Sequence, residues 1–312
     1  MNWIVVTVIA AFVQNLRFTL QKNINKKVST FASSYVRFAF ACPFAIALFF
    51  IYFQDTATIT QALSNDKFII YFISASISQI IFTFIMLYLF QFSNFIIGTS
   101  LSKTEVIQIV ALELILFGDT LSFLATTGVI ISTIGIIIFS VKNLNLFFKN
   151  LFSKTTIIGI ITGFFLGLSV VLYRGATLSL TEFDSKFEKA LCTLFFGVTF
   201  QTILMTIYIY LFERGEFKKL YEHRYQCLTA GFCSFVGTLS WFYAFSLIQS
   251  SFVRALGQIE LLFSYFSSTL FFKEKVNPIK MLISFPNKFF LNLTQFIIRS
   301  MNWKIKVMCI LY

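Results

Sequence analysis

The sequence predicts an all-α integral membrane protein of two inverted five-helix repeats, ten spans in all, with the tenth degraded or missing. Composition decides the class. Of 312 residues, 57% are hydrophobic and 12% charged, and the mean hydropathy is +0.82. A soluble globule of this length would have too little polar surface. Backbone groups inside lipid must be satisfied internally, which favours helices. The second observation is an internal match. Shifted by 155 positions, LSKTEVIQIVALELILFGD at 101–119 lies on LGQIELLFSYFSSTLFFKE at 256–274, so that Glu105 falls on Glu260, Lys103 on Gln258, Phe117 on Phe272 and Asp119 on Glu274. Upstream, Tyr88 and Phe90 fall on Tyr243 and Phe245. The third is that five spans separate Glu105 from Glu260, and an odd number turns the second copy over.

The first span, residues 3–20, has neither a basic start nor a small-residue cleavage site, so it reads as a helix rather than a signal peptide. Gln14, Asn15 and Arg17 form one polar edge on it, expected to face an interior cavity; the alternative is Arg17 snorkelling to an interface. The second span, 33–53, carries Arg37 and Pro43, and the proline predicts a kink because it removes a backbone donor. The third, 68–90, holds Ser78 and Gln79. The fourth, 92–112, holds Lys103 and Glu105. On a continuous helix, residues two apart point roughly 200° from each other, so these two are not expected to pair, whereas Glu105 and Gln108 share a face. The fifth, 121–141, is almost wholly apolar, and three lysines mark the polar linker at 142–155.

The second half opens at 157–176, where Gly159, Gly163 and Gly167 make a packing face, since small residues every four positions let helices approach. Arg174 closes that span. The seventh span is 187–212, followed by a mixed-charge loop at 213–226. The eighth, 227–247, carries Trp241 and Tyr243, and the ninth, 252–272, carries Arg254, Gln258 and Glu260. An ionisable group in a span costs ~2.5–3.5 kcal/mol on insertion scales, which marks these positions as candidates for function. The tenth span does not follow. Residues 276–300 contain Lys280, Pro286, Asn287, Lys288, Asn292 and Arg299 without an apolar run of spanning length. The expected division is a first repeat at 1–141, the linker at 142–155, a second repeat at 156–282 and an atypical tail at 283–312. A reading-frame slip near Leu282 would produce such a tail, and a divergent interfacial helix is the alternative.

Charge and rare residues exclude several classes. The net charge of +12 lacks a basic stripe interleaved with aromatics, so it reads as lysines near lipid headgroups and not as nucleic-acid binding. Cys42, Cys192, Cys227, Cys233 and Cys309 are scattered and read as small core residues. The one histidine, His223, lies in a polar loop, so no His-based metal, catalytic or cofactor site is expected. Of 25 Lys and Arg, 13 fall in odd-numbered loops and 3 in even-numbered ones, which places loop 1–2 in the cytoplasm and the N-terminus outside.

These features resemble the EamA-type family of the drug/metabolite transporter superfamily, whose members have ten helices in two inverted five-helix repeats. The family's acid, followed some fourteen residues later by a Gly-Glu pair, is matched by Glu105…Gly118-Asp119 and by Glu260…Lys273-Glu274. YVRFAFACPF at 35–44 is similar to the Arg-Phe…Pro segment of the family's second helix. The resemblance covers about residues 1–282. It departs where the proline after each acid is Val106 or Leu261, where Lys273 replaces the second glycine, and in the orientation, since the family's N-terminus lies inside. The first span lacks the acid through which the small multidrug-resistance branch couples to protons, so that coupling does not carry over.

Residues and resemblance together imply secondary transport of a small polar or zwitterionic, amino-acid-like metabolite by alternating access. Export is the expected direction, and a multi-pass position in the cell inner (plasma) membrane the expected location. The residues expected to bind solute are Glu105, Glu260, Lys103, Arg254 and Gln258, with Trp241 and Tyr243 packing its apolar part and Gln14 and Arg17 reaching in from the first span. The competing reading makes Glu105–Lys103 and Glu260–Arg254 internal charge pairs that fix helix register. A neutral Glu260→Gln isostere is expected to keep stability while losing function. A non-transporting scaffold or receptor and a non-functional truncated allele are the alternatives. A lipid-modifying enzyme would need a nucleophile–base pair or metal ligands, and no span contains a histidine or aspartate. The expected partners are a small-molecule solute and membrane lipids, with no nucleic acid and no cofactor; monomer or homodimer stays open.

Overall fold

A computed structural model describes residues 2–54, 57–93, 101–120, 127 and 153–273. Among these residues there is no strand, and the chain runs as a series of helices. They are α1 (Trp3–Ile24), α2 (Thr30–Ala39), α3 (Cys42–Phe53), α4 (Ala57–Leu63), α5 (Asp66–Phe92), α6 (Glu105–Phe117), α7 (Lys154–Ser179), α8 (Lys186–Phe212), α9 (Gly215–Glu222), α10 (Arg224–Leu247), α11 (Ser250–Gly257) and α12 (Glu260–Leu270). Helices α1, α5, α7, α8 and α10, and the α2–α3 pair over Thr30–Phe53, are each long and apolar enough to cross a membrane. The chain is therefore an all-α, multi-pass membrane protein. Most of the fifth span, most of the linker, Glu274 and the tail lie outside the described residues.

The helix starts follow local side-chain chemistry. Asn2, Ser29, Asn65 and Ser153 each accept a hydrogen bond from a backbone N–H of the first turn they precede. Ser185 and Glu188 form a reciprocal capping box at the start of α8. The expected kink in the second span is present. Phe40 and Ala41 make the bend between α2 and α3, and Pro43 stands in the first turn of α3, where its missing N–H costs little.

Polarity is reversed relative to a soluble protein. Val5, Ile9, Phe12, Ile203, Ile207 and Leu211 are exposed on the outer faces, while Gln14, Asn15, Arg17, Arg37, Lys103, Glu105 and Glu260 are buried. Hydroxyls in the spans bond backwards to the preceding turn, as in Thr7 to Trp3 O (2.8 Å), Thr83 to Gln79 O (2.8 Å) and Thr177 to Tyr173 O (2.8 Å), so they need no water.

Packing is reciprocal across the two halves. The most extensive helix pairs are α5 with α7 and α1 with α10. Under the 155-residue shift, α1 lies on α7 and α5 on α10, so each of these pairs is the image of the other. Helix α7 also packs on α6, and α1 packs on α11 and α12. The glycine face of α7 works as expected: a Cβ on Gly159 would stand 2.5 Å from Leu101 Cβ, and one on Gly163 would stand 2.7 Å from Thr104 Oγ1.

The two acid-bearing spans are not the continuous helices expected over 92–112 and 252–272. Both are interrupted, and at the same repeat position. Lys103 and Thr104 form a turn between residues 101–102 and α6, and Gln258 and Ile259 form a turn between α11 and α12. The hydrogen bonds there tighten to three-residue spacing, as in Thr104 N to Leu101 O, Val106 N to Lys103 O, Ile259 N to Leu256 O and Leu261 N to Gln258 O. In each case the glutamate becomes the first residue of the next helix. The ends match as well: Gly118 takes φ 67° and its counterpart Lys273 takes φ 50°. Lysine keeps the left-handed stop that glycine makes easily, at a cost of ~1–2 kcal/mol.

The tightest approach is made by Gly231 on α10, where a Cβ would lie 2.4 Å from the Phe40 backbone carbon at the α2–α3 bend. Gly231→Ala should lower stability by ~1–3 kcal/mol, because backbone has to move. Gly237→Ala, whose Cβ would meet Val13 Cγ1 at 3.6 Å, should be tolerated. Thermal unfolding of the two detergent-purified variants checks this, and equal midpoints would contradict the packing.

Candidate functional site

The interruptions place both glutamates at helix N-termini, where unpaired backbone N–H groups and the helix dipole favour negative charge. Glu105 and Glu260 are each 0% exposed. At the second break, Glu260 Oε2 accepts from Lys103 Nζ at 2.5 Å and from Gln14 Nε2 at 2.8 Å. At the first, Glu105 Oε1 accepts from Arg254 Nε at 3.1 Å and also from Arg254 Nη2. The principal ion pairs thus cross between the two broken spans. Each acid is neutralised by the cation of the other segment.

Three more contacts close a ring. Arg254 stacks its guanidinium over Trp241, 4.5 Å from the ring centroid. Trp241 Nε1 donates to Gln14 Oε1 at 2.8 Å, and Gln14 in turn donates to Glu260. Lys103 Nζ stands 3.8 Å from Glu105 Oε1. Glu105, Arg254, Trp241, Gln14, Glu260 and Lys103 therefore form one circuit drawn from α1, the first break with α6, α10, α11 and α12. The Lys103–Glu105 approach corrects the expectation that these two do not pair. That expectation assumed a continuous helix, and the turn at 103–104 removes the 200° separation.

Two helices support the circuit from behind. Asn15, next to Gln14 on α1, donates to Ser264 Oγ at 2.9 Å and accepts from Ser267 Oγ at 2.6 Å, which fixes α1 along α12. The glycine face of α7 supports the other break, with Gly163 against Thr104 and the backbone of Ser102. Each carboxylate keeps one oxygen without a hydrogen-bond partner, Glu105 Oε2 and Glu260 Oε1.

Beside the ring lies a narrow crevice with ≈ 20 Å³ of room for water-sized groups. Gln14, Trp241 and Arg254 form one wall. Arg37, Gln79, Ser169, Tyr173 and Thr238 add polar groups, and Leu166, Val170, Phe242 and Phe245 supply an apolar side. Arg37 Nη1 donates to Thr83 Oγ1 at 2.8 Å, Tyr173 shares a 2.9 Å hydrogen bond with Ser76, and Gln201 Nε2 donates to Gln79 Oε1 at 3.0 Å.

The structure brings Glu105, Glu260, Lys103, Arg254, Trp241 and Gln14 together, and it buries Gln258 at the second break. Arg17 is 2% exposed on the interior edge of α1, not snorkelling, and donates to Gln21 Oε1 at 2.8 Å; it does not line the crevice. Tyr243 is a correction. It stands two residues beyond Trp241, which turns it away from the crevice, and its ring meets Phe187 edge-on at 6.1 Å. Of the competing pairs within each span, Lys103–Glu105 is present at 3.8 Å beside the shorter cross-span bond, and Arg254–Glu260 is not found among the described residues. The partner of Arg254 is Glu105, and the partner of Glu260 is Lys103.

Sequence reasoning missed Glu113. This acid is 2% exposed and accepts from Ser250 N (2.9 Å), Ser250 Oγ (2.5 Å) and Ser251 N (3.3 Å), so α6 caps the start of α11. It also accepts from Arg174 Nη1 at 3.2 Å, and Arg174 reaches Asp119 Oδ2 at 2.6 Å. The signal was a second acid one helical turn from the end of an apolar run. Arg37 was visible as a charge within a span but was not assigned to the site.

Because the acids are tied to cations across the fold, the geometry reverses the stability expectation for Glu260→Gln. Removing one partner of a buried pair leaves Lys103 uncompensated, and should destabilise by ~3–5 kcal/mol. Adding Lys103→Met should recover part of the loss, with a coupling energy of ~1–3 kcal/mol. A double-mutant cycle of unfolding free energies in detergent tests this, and simple additivity would show that the pair is not energetically real.

Residues 153–286 match the model of the EamA-like transporter family. No curated protein matches the chain. The match begins at the cap of α7 and takes in α7 to α12. The second half of the chain is thus similar to an EamA-like transporter domain, which is consistent with a protein of the drug/metabolite transporter superfamily.

Proposed function

We propose that the protein is a secondary transporter that moves a small polar or zwitterionic, amino-acid-like metabolite across the plasma membrane by alternating access. The observation that carries this reading is the ring of six side chains. It couples two spans broken at equivalent positions, and it borders a crevice with a polar and an apolar wall. Broken helices whose ends meet near the middle of a bundle are the usual place for a transporter to hold solute and coupling ion. The reciprocal packing of α5 with α7 and of α1 with α10 supports two structurally equivalent repeats that rock against each other. Such motion changes the distance between the two breaks, and so strains Lys103–Glu260 and Arg254–Glu105 together. A solute that hydrogen-bonds to the crevice side of Arg254 and Gln14 weakens one arrangement of the ring relative to the other. That differential interaction is what alternating access requires. Export remains the direction that the resemblance implies.

A non-transporting scaffold would keep the same buried pairs for stability alone. The two readings separate in the Lys103→Met/Glu260→Gln double variant. Purified and reconstituted into proteoliposomes, it should retain much of its folding stability yet lose at least about tenfold in solute counterflow, a loss of ~1.4 kcal/mol in transition-state terms. Wild-type counterflow of pooled amino acids and small organic metabolites is the positive control. Normal counterflow by the double variant would leave the ring a purely structural device. No counterflow of any pooled solute by folded wild-type protein would remove the transporter reading.

A further inference from the structure

The buried charges around the crevice do not balance. Arg17, Arg37, Lys103 and Arg254 are 2%, 5%, 2% and 2% exposed, and the acids among them are Glu105 and Glu260. Lys103 and Arg254 take up both carboxylates. Two guanidiniums are left over. Arg17 gives Nη1 to the neutral Gln21, and its buried Nη2 has no hydrogen-bond partner. Arg37 gives Nη1 to the neutral Thr83, packs its guanidinium against the Phe38 and Phe82 rings, and lines the crevice. Among the described residues, neither has a carboxylate at ion-pair distance.

The sign of the crevice follows. Its charged lining residues are Arg37 and Arg254, and neither Glu105 nor Glu260 lines it. A cation entering there would meet like charge, whereas an anion would compensate a deficit that the fold leaves open. The guanidinium fork matches the paired oxygens of a carboxylate or phosphate. Leu166, Val170 and Phe245 also line the crevice and offer apolar surface for the rest of a small organic molecule.

We propose that Arg37, with Arg17 behind it, is the receptor for an oxyanion, and that the crevice takes small solutes through a carboxylate or phosphate group. This rests on the transporter reading above and names the part of the solute that the site recognises. Arg37 differs from Arg254 in a testable way. Removing Arg254 leaves Glu105 only Lys103, which stands 3.8 Å away and already serves Glu260, but removing Arg37 orphans no acid and relieves repulsion.

The test uses full-length protein in detergent. Thermal midpoints are measured with pooled amino acids, pooled small organic acids, inorganic phosphate, and the amide and amine counterparts of the same carbon skeletons. Carboxylates or phosphate should raise the midpoint by about 5 °C near saturation, and the amides and amines should not. Comparison of the pools identifies carboxylate or phosphate as the head group. Arg37→Gln should keep or raise the ligand-free midpoint and abolish the oxyanion shift, and Arg37→Lys should retain part of it. The proposal is overturned if amides or amines stabilise as well as the acids, if no oxyanion shifts the midpoint, or if Arg37→Gln responds like wild type. A lowered ligand-free midpoint in Arg37→Gln with an intact oxyanion shift would make Arg37 a structural partner of Thr83, and would equally overturn it. Counterflow separates the two levels. Transport of amines or neutral solutes with no oxyanion response sinks the oxyanion site and leaves the transporter reading standing.

Discussion

Two buried ion pairs, Lys103–Glu260 and Arg254–Glu105, constrain the centre of this molecule. A charge at this depth is tolerated only with a partner in place, and here each partner comes from the opposite broken span. The two spans therefore cannot be positioned independently. Moving one relative to the other by a few ångströms exposes four charges to a low-dielectric interior at once. The interruption of both helices makes the exchange geometrically available. Each glutamate sits on the first residue of a new helix, where backbone N–H groups already favour the anion. Each cation sits at or just before the break, close enough to reach across.

The rest of the bundle supports that centre by two different means. Helix α7 approaches the first break with glycines, so close contact and not hydrogen bonding holds it there. Helix α1 approaches the second break with Gln14 and Asn15, which bond to Glu260, Ser264 and Ser267. The packing partners of the two breaks are equivalent in position but not in chemistry. An inexact duplication can in this way create an asymmetric site: one side is dry and closely packed, and the other is polar. Glu113 adds a further link between the spans, since the carboxylate on α6 satisfies the first N–H groups of α11.

Lipid as the outer solvent explains how the interior can be this polar. Aliphatic and aromatic side chains satisfy the outside, and hydroxyls bonded to the preceding turn satisfy themselves. The polar groups that remain must find one another at the bundle centre, and among the described residues the two guanidiniums of Arg17 and Arg37 have no carboxylate at ion-pair distance.

The membrane class, the helical spans and the special standing of Glu105 and Glu260 are properties of the sequence itself. Hydropathy is a local sum, and a charge in an apolar run is costly wherever that run folds. The 155-residue shift likewise placed the two acids at equivalent positions in their spans, whereas the matching left-handed stop at Gly118 and Lys273 appeared only in the structure, since Lys273 read as a departure from the glycine. Three things needed tertiary structure. The helix breaks were hidden because no glycine or proline marks 103–104, and the single Gly257 before 258–259 is tolerated inside an apolar span; the tight turns there are held by partners distant in sequence. The identity of the principal ion pairs was hidden for the same reason: the fold joins Lys103 to Glu260 and Arg254 to Glu105 across the two spans, and brings Lys103 to 3.8 Å from Glu105 as well. Finally, Tyr243 and Trp241 look alike as aromatic residues of one span, and only the rotation of α10 against α1 decides that the tryptophan meets the site while the tyrosine packs on Phe187. Side-chain type is written in the chain; which side chain faces which depends on how the helices turn against one another.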